Sequence, residues 1–166
     1  MRWIWIDRFV EFTPRTSATA VKNVSLAEEH LHDHFGADAP GGALAVMPAS
    51  LMVEGMAQTA GILVGEARNF AEKVILAKVG RATFHRLVRP GDTITYAATI
   101  QQLSEQGASI EGKVRVGQEL VAEIELMFSH IDQNMAGLKF PEHNFVFTEQ
   151  FTELLKTYRQ GASVAI

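Results

Sequence analysis

The chain has 166 residues, of which 47% are hydrophobic and 20% are charged, no cysteine, and a formal net charge of -4. This length fits one ordinary domain, and the apolar fraction excludes a disordered or collagen-like chain. The lack of cysteine excludes disulfide bonds and a cysteine nucleophile, and the acidic balance argues against a nucleic-acid binder. No apolar run is long enough to span a membrane, and Asp7 and Arg8 interrupt the apolar start, so we expect a cytoplasmic protein.

The first half of the sequence predicts two strands, a loop and one helix. Apolar and β-branched residues alternate with polar ones over residues 1–25, which is typical of two strands. Residues 26–50 predict a long loop with glycine and proline. A helix is predicted from Leu51 to about Phe70, with Ser50 as its N-terminal cap. Because its apolar residues occur on every side, we expect this helix to be buried all round.

The second half predicts a sheet and a terminal helix. Four or five strand-like runs follow the central helix, and the last three are long and closely spaced, which favours an antiparallel meander. Residues 148–158 carry apolar side chains at helical spacing and predict an amphipathic helix on the outside. The order predicts an α+β fold, with a sheet wrapped around one central helix and a C-terminal helical extension. We assign residues 1–135 to the domain and residues 136–166 to an extension that packs on it.

One acid lies inside the apolar helix. Glu54 comes one turn after the predicted start, and Gln58 follows at i+4 on the same face. A buried carboxylate must be paired, protonated or at the edge of a cavity, because an unpaired buried charge is costly. A carboxyl group in such a place can hold a proton and act as a general acid. A structural carboxylate that binds the loop explains the pattern equally well.

Three histidines alternate in the predicted loop, at His30, His32 and His34. In an extended conformation they share one face, where a metal site is one interpretation and a solvated charged loop is another. We favour the loop for the first two and assign no metal. His34 differs because Phe35 and a glycine-rich turn follow it, and an imidazole beside apolar residues can act as a general base near neutral pH.

The stretch from Lys73 to Gly91 reverses the overall charge of the chain. It carries five basic residues, Lys73, Lys78, Arg81, Arg86 and Arg89, and no acid. A solvated strand edge explains this pattern, since Lys and Arg protect exposed edges. A docking patch for a phosphate-bearing or acidic partner explains it equally well.

In order along the chain, these pieces resemble the 3-hydroxyacyl-acyl-carrier-protein dehydratases, the FabA/FabZ family, and FabZ most closely. The family pattern runs H-F-P-G, M-P-G and E-A-M-A-Q. The matching residues here are His34-Phe35, Met47-Pro48-Ala49 and Glu54-Gly55-Met56-Ala57-Gln58. Smaller matches occur at Ile6-Asp7-Arg8, Val21-Lys22-Asn23-Val24, Pro90-Gly91-Asp92 and Leu120-Val121-Ala122-Glu123. The resemblance covers roughly residues 3–130 and implies the hot-dog fold, a long helix wrapped by an antiparallel sheet.

The resemblance implies an activity and a division of labour. His34 would remove the α-proton of a (3R)-3-hydroxyacyl thioester, and Glu54 would protonate the departing β-hydroxyl, which leaves a trans-2-enoyl thioester. The residues expected to bind the substrate are Met47, Ala49, Gln58 and Phe84. The residues expected to dock the acyl carrier are Arg81, Arg86 and Arg89. An acyl carrier protein or CoA thioester is the implied substrate, no metal or organic cofactor is needed, and a homodimer or trimer of dimers is the implied assembly.

The chain departs from the family pattern near the predicted site. The stretch from His34 to Met47 is longer than in the family, and Gly36-Ala37 replaces the usual Pro-Gly. Ala49 replaces the glycine after Met-Pro and adds a methyl group where the thioester must approach. Two alternatives therefore stay open, a hot-dog acyl thioesterase and a catalytically inactive subunit that binds the acyl carrier.

Overall fold

The computed structural model describes residues 3–33, 44–131 and 146–164. In chain order its elements are β1 (Arg8–Thr13), β2 (Ser17–Asn23), α1 (Glu29–Asp33), α2 (Ala49–Glu66), β3 (Val74–Phe84), β4 (Thr93–Leu103), β5 (Gly107–Val116), β6 (Glu119–His130) and α3 (Glu149–Val164). The six strands form one antiparallel sheet in the order β1-β2-β4-β5-β6-β3. The predicted α+β fold, with an antiparallel sheet around a long central helix, is confirmed.

The predicted meander is present as β4, β5 and β6, which pair as consecutive neighbours. The strand-like runs VILAKVG and RATFHR before it form the single strand β3, so four strands follow the central helix, the lower of the two predicted numbers. Gly80 ends the first of these runs, but the ladder with β6 continues across it from Val74 to Phe84. Register shifts between Leu76 and Lys78, and again before Arg81, interrupt the alternation of side chains. One strand therefore has the sequence pattern of two shorter runs.

The central helix α2 begins at Ala49, one residue before the predicted cap. Pro48 is the N-cap, and no side chain accepts a capping hydrogen bond, so the prediction of Ser50 as the cap is wrong. Proline suits this place because it has no N–H to leave unsatisfied. No residue from Leu51 to Gly65 is exposed, which confirms that the helix is buried on every side.

The helix ends at Glu66, before the predicted end at Phe70. Asn69 and Phe70 take left-handed backbone conformations, with φ of 53° and 57°, and these cannot continue a right-handed helix. The amide of Phe70 donates to the carbonyl of Gly65 at 2.8 Å and closes the turn. Propensity alone misses this end, because the residues concerned are not glycine.

The loop predicted over residues 26–50 contains the short helix α1, so that prediction is wrong for part of the segment. Ser25 and Glu28 close the turn that precedes α1: the Ser25 amide donates to Glu28 Oε1 at 3.1 Å, and Ser25 Oγ accepts from the Ala27 amide at 3.2 Å. The spacing of a serine and a glutamate three residues apart is the capping-box signal that precedes such helices.

The core lies between α2 and the inner face of the sheet. Met56, Leu63, Ile94 and Val114 are each fully buried there. Within the three described ranges, no helix is long and apolar enough to cross a membrane.

The predicted C-terminal amphipathic helix is present as α3, and it extends beyond the predicted end to Val164. Leu155 is its buried anchor, only 2% exposed, and the helix packs against β1 and α2. Arg159 Nη2 also donates to Glu66 Oε1 at 2.6 Å, which ties α3 to the end of α2. The division at residue 135 stays a prediction.

Candidate active site

One face of α2 borders a cavity of about 360 Å³. The helix contributes the stripe Glu54, Ala57, Gln58, Gly61 and Ile62, whose spacing places these residues on one side of an α-helix. The other walls come from β3, β6, the N-terminal segment, the residues before α3 and the first turn of α3. The residues concerned are Trp3, Val74, Ile75, Leu76, Phe128, Val146, Phe147 and Phe151.

Glu54 is the ionisable group at the polar end of this cavity. Its Oε1 accepts two hydrogen bonds, from Trp3 Nε1 at 3.2 Å and from Gln58 Nε2 at 2.9 Å. Across the described residues, Oε2 has no hydrogen-bond donor. The carboxyl group is therefore held in a fixed orientation by one oxygen, while the other is available to a bound molecule.

Gln58 holds the carboxylate and the N-terminal segment together. Its side chain is buried, and its Oε1 accepts from the Trp5 amide at 2.7 Å. Its Nε2 donates to the Trp3 carbonyl at 3.1 Å as well as to Glu54. The i+4 relation predicted for Glu54 and Gln58 is thus a direct hydrogen bond. This buried amide is satisfied at both ends, so it fixes the geometry around the acid.

The rest of the cavity is apolar. Gly61 leaves room for the Phe128 ring, whose edge would lie 3.5 Å from a Cβ at that position. A cavity with one carboxylate at one end and hydrocarbon along the rest suits a molecule that has a polar reacting end and an apolar tail.

The next residue of the helix, Gly55, faces the core instead. A Cβ there would lie 2.5 Å from the ring of Tyr96, so only glycine allows this packing. The Tyr96 hydroxyl is buried without a hydrogen-bond partner on the described part of the chain. Burial raises the pKa of Tyr96 above its ordinary value, so this phenol stays neutral and supplies no charge to the site.

Of the other predicted catalytic and substrate-binding residues, His34 lies outside the described residues. Met47 is buried, and its amide donates to the Val88 carbonyl at 2.8 Å. Ala49 is the exposed first residue of α2, and Phe84 is 39% exposed at the far end of β3. Within residues 3–33, 44–131 and 146–164, none of these lines the cavity of the single chain.

The basic stretch is not a purely positive surface in space. Arg81 Nη2 donates to Glu125 Oε1 at 2.6 Å, and Arg86 bonds Asp92 Oδ2 at 2.9 Å and Glu119 Oε2 at 2.8 Å. Two of these acids lie on β6, which the sheet places beside β3. Docking of a carrier on these arginines therefore stays a prediction, and it would have to compete with existing ion pairs.

Sequence reasoning missed several residues that border the cavity. Trp3 is predicted only as part of a strand, yet its indole donates to Glu54. Phe151 is predicted only as a packing residue of the terminal helix, and Phe147 precedes that helix. Helical spacing could not connect Phe147 with Phe151, because the helix begins only at Glu149.

Solved structures identify the class of fold as the hot dog. The dehydratase heterocomplex ApeI:P from Xenorhabdus doucetiae superposes with a TM-score of 0.63 over 81% of this chain and 90% of that chain, at 14% identity. A thioesterase from Haemophilus influenzae superposes with a TM-score of 0.55 over 72% of this chain and 74% of that chain, at 17% identity. Likeness at these identities establishes the fold alone.

Sequence relatives narrow the class further. The FabA-like domain family matches residues 3–125. A 3-hydroxyacyl-[acyl-carrier-protein] dehydratase FabZ from Pelotomaculum thermopropionicum is 37% identical over 128 residues, which is 76% of this chain and 87% of the relative. The chain therefore belongs to the FabA-like family, among relatives named FabZ, and the predicted resemblance is confirmed.

Proposed function

We propose that this chain dehydrates (3R)-3-hydroxyacyl thioesters, carried on acyl carrier protein, to trans-2-enoyl thioesters in fatty-acid or related acyl-chain biosynthesis. Its FabZ relatives are named for this activity. The observation that carries the proposal is Glu54, held by two N–H donors at the polar end of an otherwise apolar cavity. A hydroxyacyl chain has this same distribution of polar and apolar groups.

The reaction needs a base, an acid and a group that polarises the carbonyl. In the proposed mechanism His34 takes the α-proton, the Cα–Cβ double bond forms, and the Cβ–O bond breaks as Glu54 gives the oxygen a proton, so that water leaves. The role of His34 comes from the family resemblance. The thioester carbonyl would accept from free N–H groups in the first turn of α2, near Ala49, where no side chain caps the helix. No cofactor is needed for these steps.

The hydrogen bonds around Glu54 leave one carboxyl oxygen open to carry and give a proton. Both described donors, Trp3 and Gln58, bind Oε1, so a proton on Oε2 would point at no competing donor. A carboxylic acid that must give up a proton works best when its orientation is fixed in advance. Gln58 supplies that orientation, because it is itself anchored on the backbone of Trp5 and Trp3.

The test replaces the acid with its amide. Glu54→Gln keeps the shape and should lower the rate of hydration of a crotonyl thioester by about 10²- to 10⁴-fold, with an unchanged urea midpoint. His34→Ala should cause a loss of the same order. Glu66→Gln is the matched control, since it lies on the same helix and pairs with Arg159 outside the cavity. Wild-type rates in both His34→Ala and Glu54→Gln would overturn the proposal.

The same assay separates the two alternatives. Release of free thiol without an enoyl product would identify a thioesterase. Binding of acyl carrier protein with neither product would identify an inactive binding subunit.

We also propose a homodimer that pairs along β3. This edge strand exposes large apolar side chains at Leu76, Val79 and Phe84. Antiparallel pairing about a two-fold axis would bring the Phe84 end of one strand beside the Val74 end of the other, which borders the cavity. Phe84 would then reach substrate bound in the second copy. Sedimentation should give a dimer that Val79→Lys weakens; a wild-type monomer at assay concentration would contradict this.

Carrier docking has its own test. Neutralising Arg81, Arg86 and Arg89 should raise KM for the carrier-bound substrate and barely change KM for a small thioester or CoA substrate. Equal effects on both substrates would count against docking there. The cytoplasmic location stays a prediction.

A further inference from the structure

The segment before α3 lies outside the family match but borders the cavity. The FabA-like family matches residues 3–125, whereas Val146, Phe147 and Phe151 line the same cavity as Glu54. Part of the wall of the site is therefore supplied by residues outside the family match.

Phe147 borders the cavity beside the part of α2 that is farthest from the acid. Its ring lies over Gly65, where an added Cβ would come within 2.3 Å of a ring carbon. It also packs edge-on against Phe70, with ring centroids 5.0 Å apart. Gly65 lies about 16 Å beyond Glu54 along the helix axis. The acid and the aromatic ring thus border the same cavity about three helical turns apart along α2.

The end wall is held in place by α3. Leu155 is buried against the core, and Arg159 pairs with Glu66 at the end of α2. Phe151, on the first turn of α3, borders the cavity directly. To accept a longer acyl chain, the site would therefore have to displace a packed helix and not a solvated tail.

We propose that residues 146–151 form the end wall of the acyl site and set the longest acyl chain that the enzyme accepts. This rests on the proposed function. With its β-carbon at Glu54, an acyl chain runs along α2 past Gly61 and Phe128 toward Phe147. Each methylene buried on the way strengthens binding about fourfold, and that gain stops where the chain meets the Phe147 ring.

The experiment measures binding and turnover against chain length. Saturated acyl-pantetheine thioesters of increasing length are titrated by calorimetry, and kcat/KM is measured for the matching 2-enoyl thioesters. In the wild type, both should rise with length and then level off or fall. In Phe147→Ala the limit should move to longer chains, with a gain of about fourfold for each additional methylene buried. Tyr158→Ala, which shortens an aromatic on α3 that does not line the cavity, should keep the wild-type limit.

Two further variants keep the outcomes distinct. Phe147→Leu, which retains part of the packing on Gly65, serves if Phe147→Ala does not fold, and it should move the limit by a smaller step. Calorimetry in the Glu54→Gln background measures the longest acyl chain that binds, without turnover of the ligand. An unchanged limit in the folded Phe147 variants overturns the end wall, even where Glu54→Gln abolishes dehydration. A shifted binding limit with full activity in Glu54→Gln overturns the proposed function instead.

Discussion

Two faces of the central helix both hold buried residues but meet different surroundings. On the sheet-facing side, Met56, Ala60 and Leu63 are each 0% exposed and pack against strands of the core. On the other side, Gln58 is only 6% exposed, yet it and Glu54 border a cavity. Burial alone therefore does not separate core residues from site residues on this helix; the difference lies in what each face touches.

The difference predicts which property each face controls. The core face meets close-packed side chains, so a change of shape there costs stability. The cavity face meets open space and a hydrogen-bonded acid, so a change there should alter binding and turnover more than folding. Substitutions on the two sides of the helix test this distinction.

The largest effect on stability is expected at Leu63. Leu63→Ala leaves a hole in the core and should lower the free energy of unfolding by about 2–5 kcal/mol, measured by urea denaturation. The kcat of the folded protein should not change, because this side chain does not line the cavity. Leu63→Met conserves volume and should cost less than about 1.5 kcal/mol. A loss of kcat in either folded variant would show that the two faces are not independent.

A pair of glycines compares the two faces with one identical change. Gly55→Ala forces a methyl group into the Tyr96 ring and should lower the free energy of unfolding by about 1–3 kcal/mol. Gly61→Ala places its methyl group in ordinary contact, 3.5 Å from Phe128, so helix propensity should make it neutral or up to about 1 kcal/mol more stable. The same methyl group narrows the cavity, so KM for long acyl thioesters should rise. Equal destabilisation by both substitutions would contradict the distinction.

The central helix and the meander could be predicted because they depend on local periodicity. Glu54 could be recognised because a buried carboxylate within an apolar helix is costly unless it is paired. Its i+4 neighbour Gln58 does donate a hydrogen bond to it. The indole of Trp3 could not be assigned to this acid, because the contact joins residues 51 positions apart. Sequence spacing on one helix predicts a shared face, whereas contacts between elements depend on the whole fold.

Two further features depended on the order of the strands. The stretch from Lys73 to Gly91 holds no acid in sequence, but β6 lies beside β3 and brings Glu125 to Arg81. The position of Phe147 at the cavity depends on a segment far along the chain that returns to α2. Neither contact produces a local sequence pattern. The sequence alone therefore overestimates the positive charge of the stretch from Lys73 to Gly91 and does not reveal that Phe147 borders the cavity.

The buried amide tests whether the cavity face acts through orientation. Gln58→Met conserves volume but removes the acceptor for the Trp5 amide and the donor to Glu54. Leaving buried groups unsatisfied should lower the free energy of unfolding by about 1–3 kcal/mol. If the amide positions the acid, kcat should fall more than KM rises, and the pH dependence of kcat should shift. A pure stability loss with an unchanged pH profile would assign Gln58 to the core.

The smallest effect is expected in a polar cluster that borders no part of this cavity. The hydrogen bond from Arg86 holds the pKa of Asp92 below its ordinary value, so folding favours the charged carboxylate. That contribution is complete above the unfolded pKa and is lost as the pH falls through the lower folded value. Asp92→Asn should therefore lower the free energy of unfolding by about 1 kcal/mol or less at pH 7, and the difference from wild type should shrink below about pH 4. Turnover of a small thioester should stay at the wild-type rate, since Asp92 does not line the cavity. A fall in that rate as large as the one caused by Gln58→Met would contradict the distinction between the two faces of α2. It would mean that a polar network affects catalysis even where it does not border the cavity.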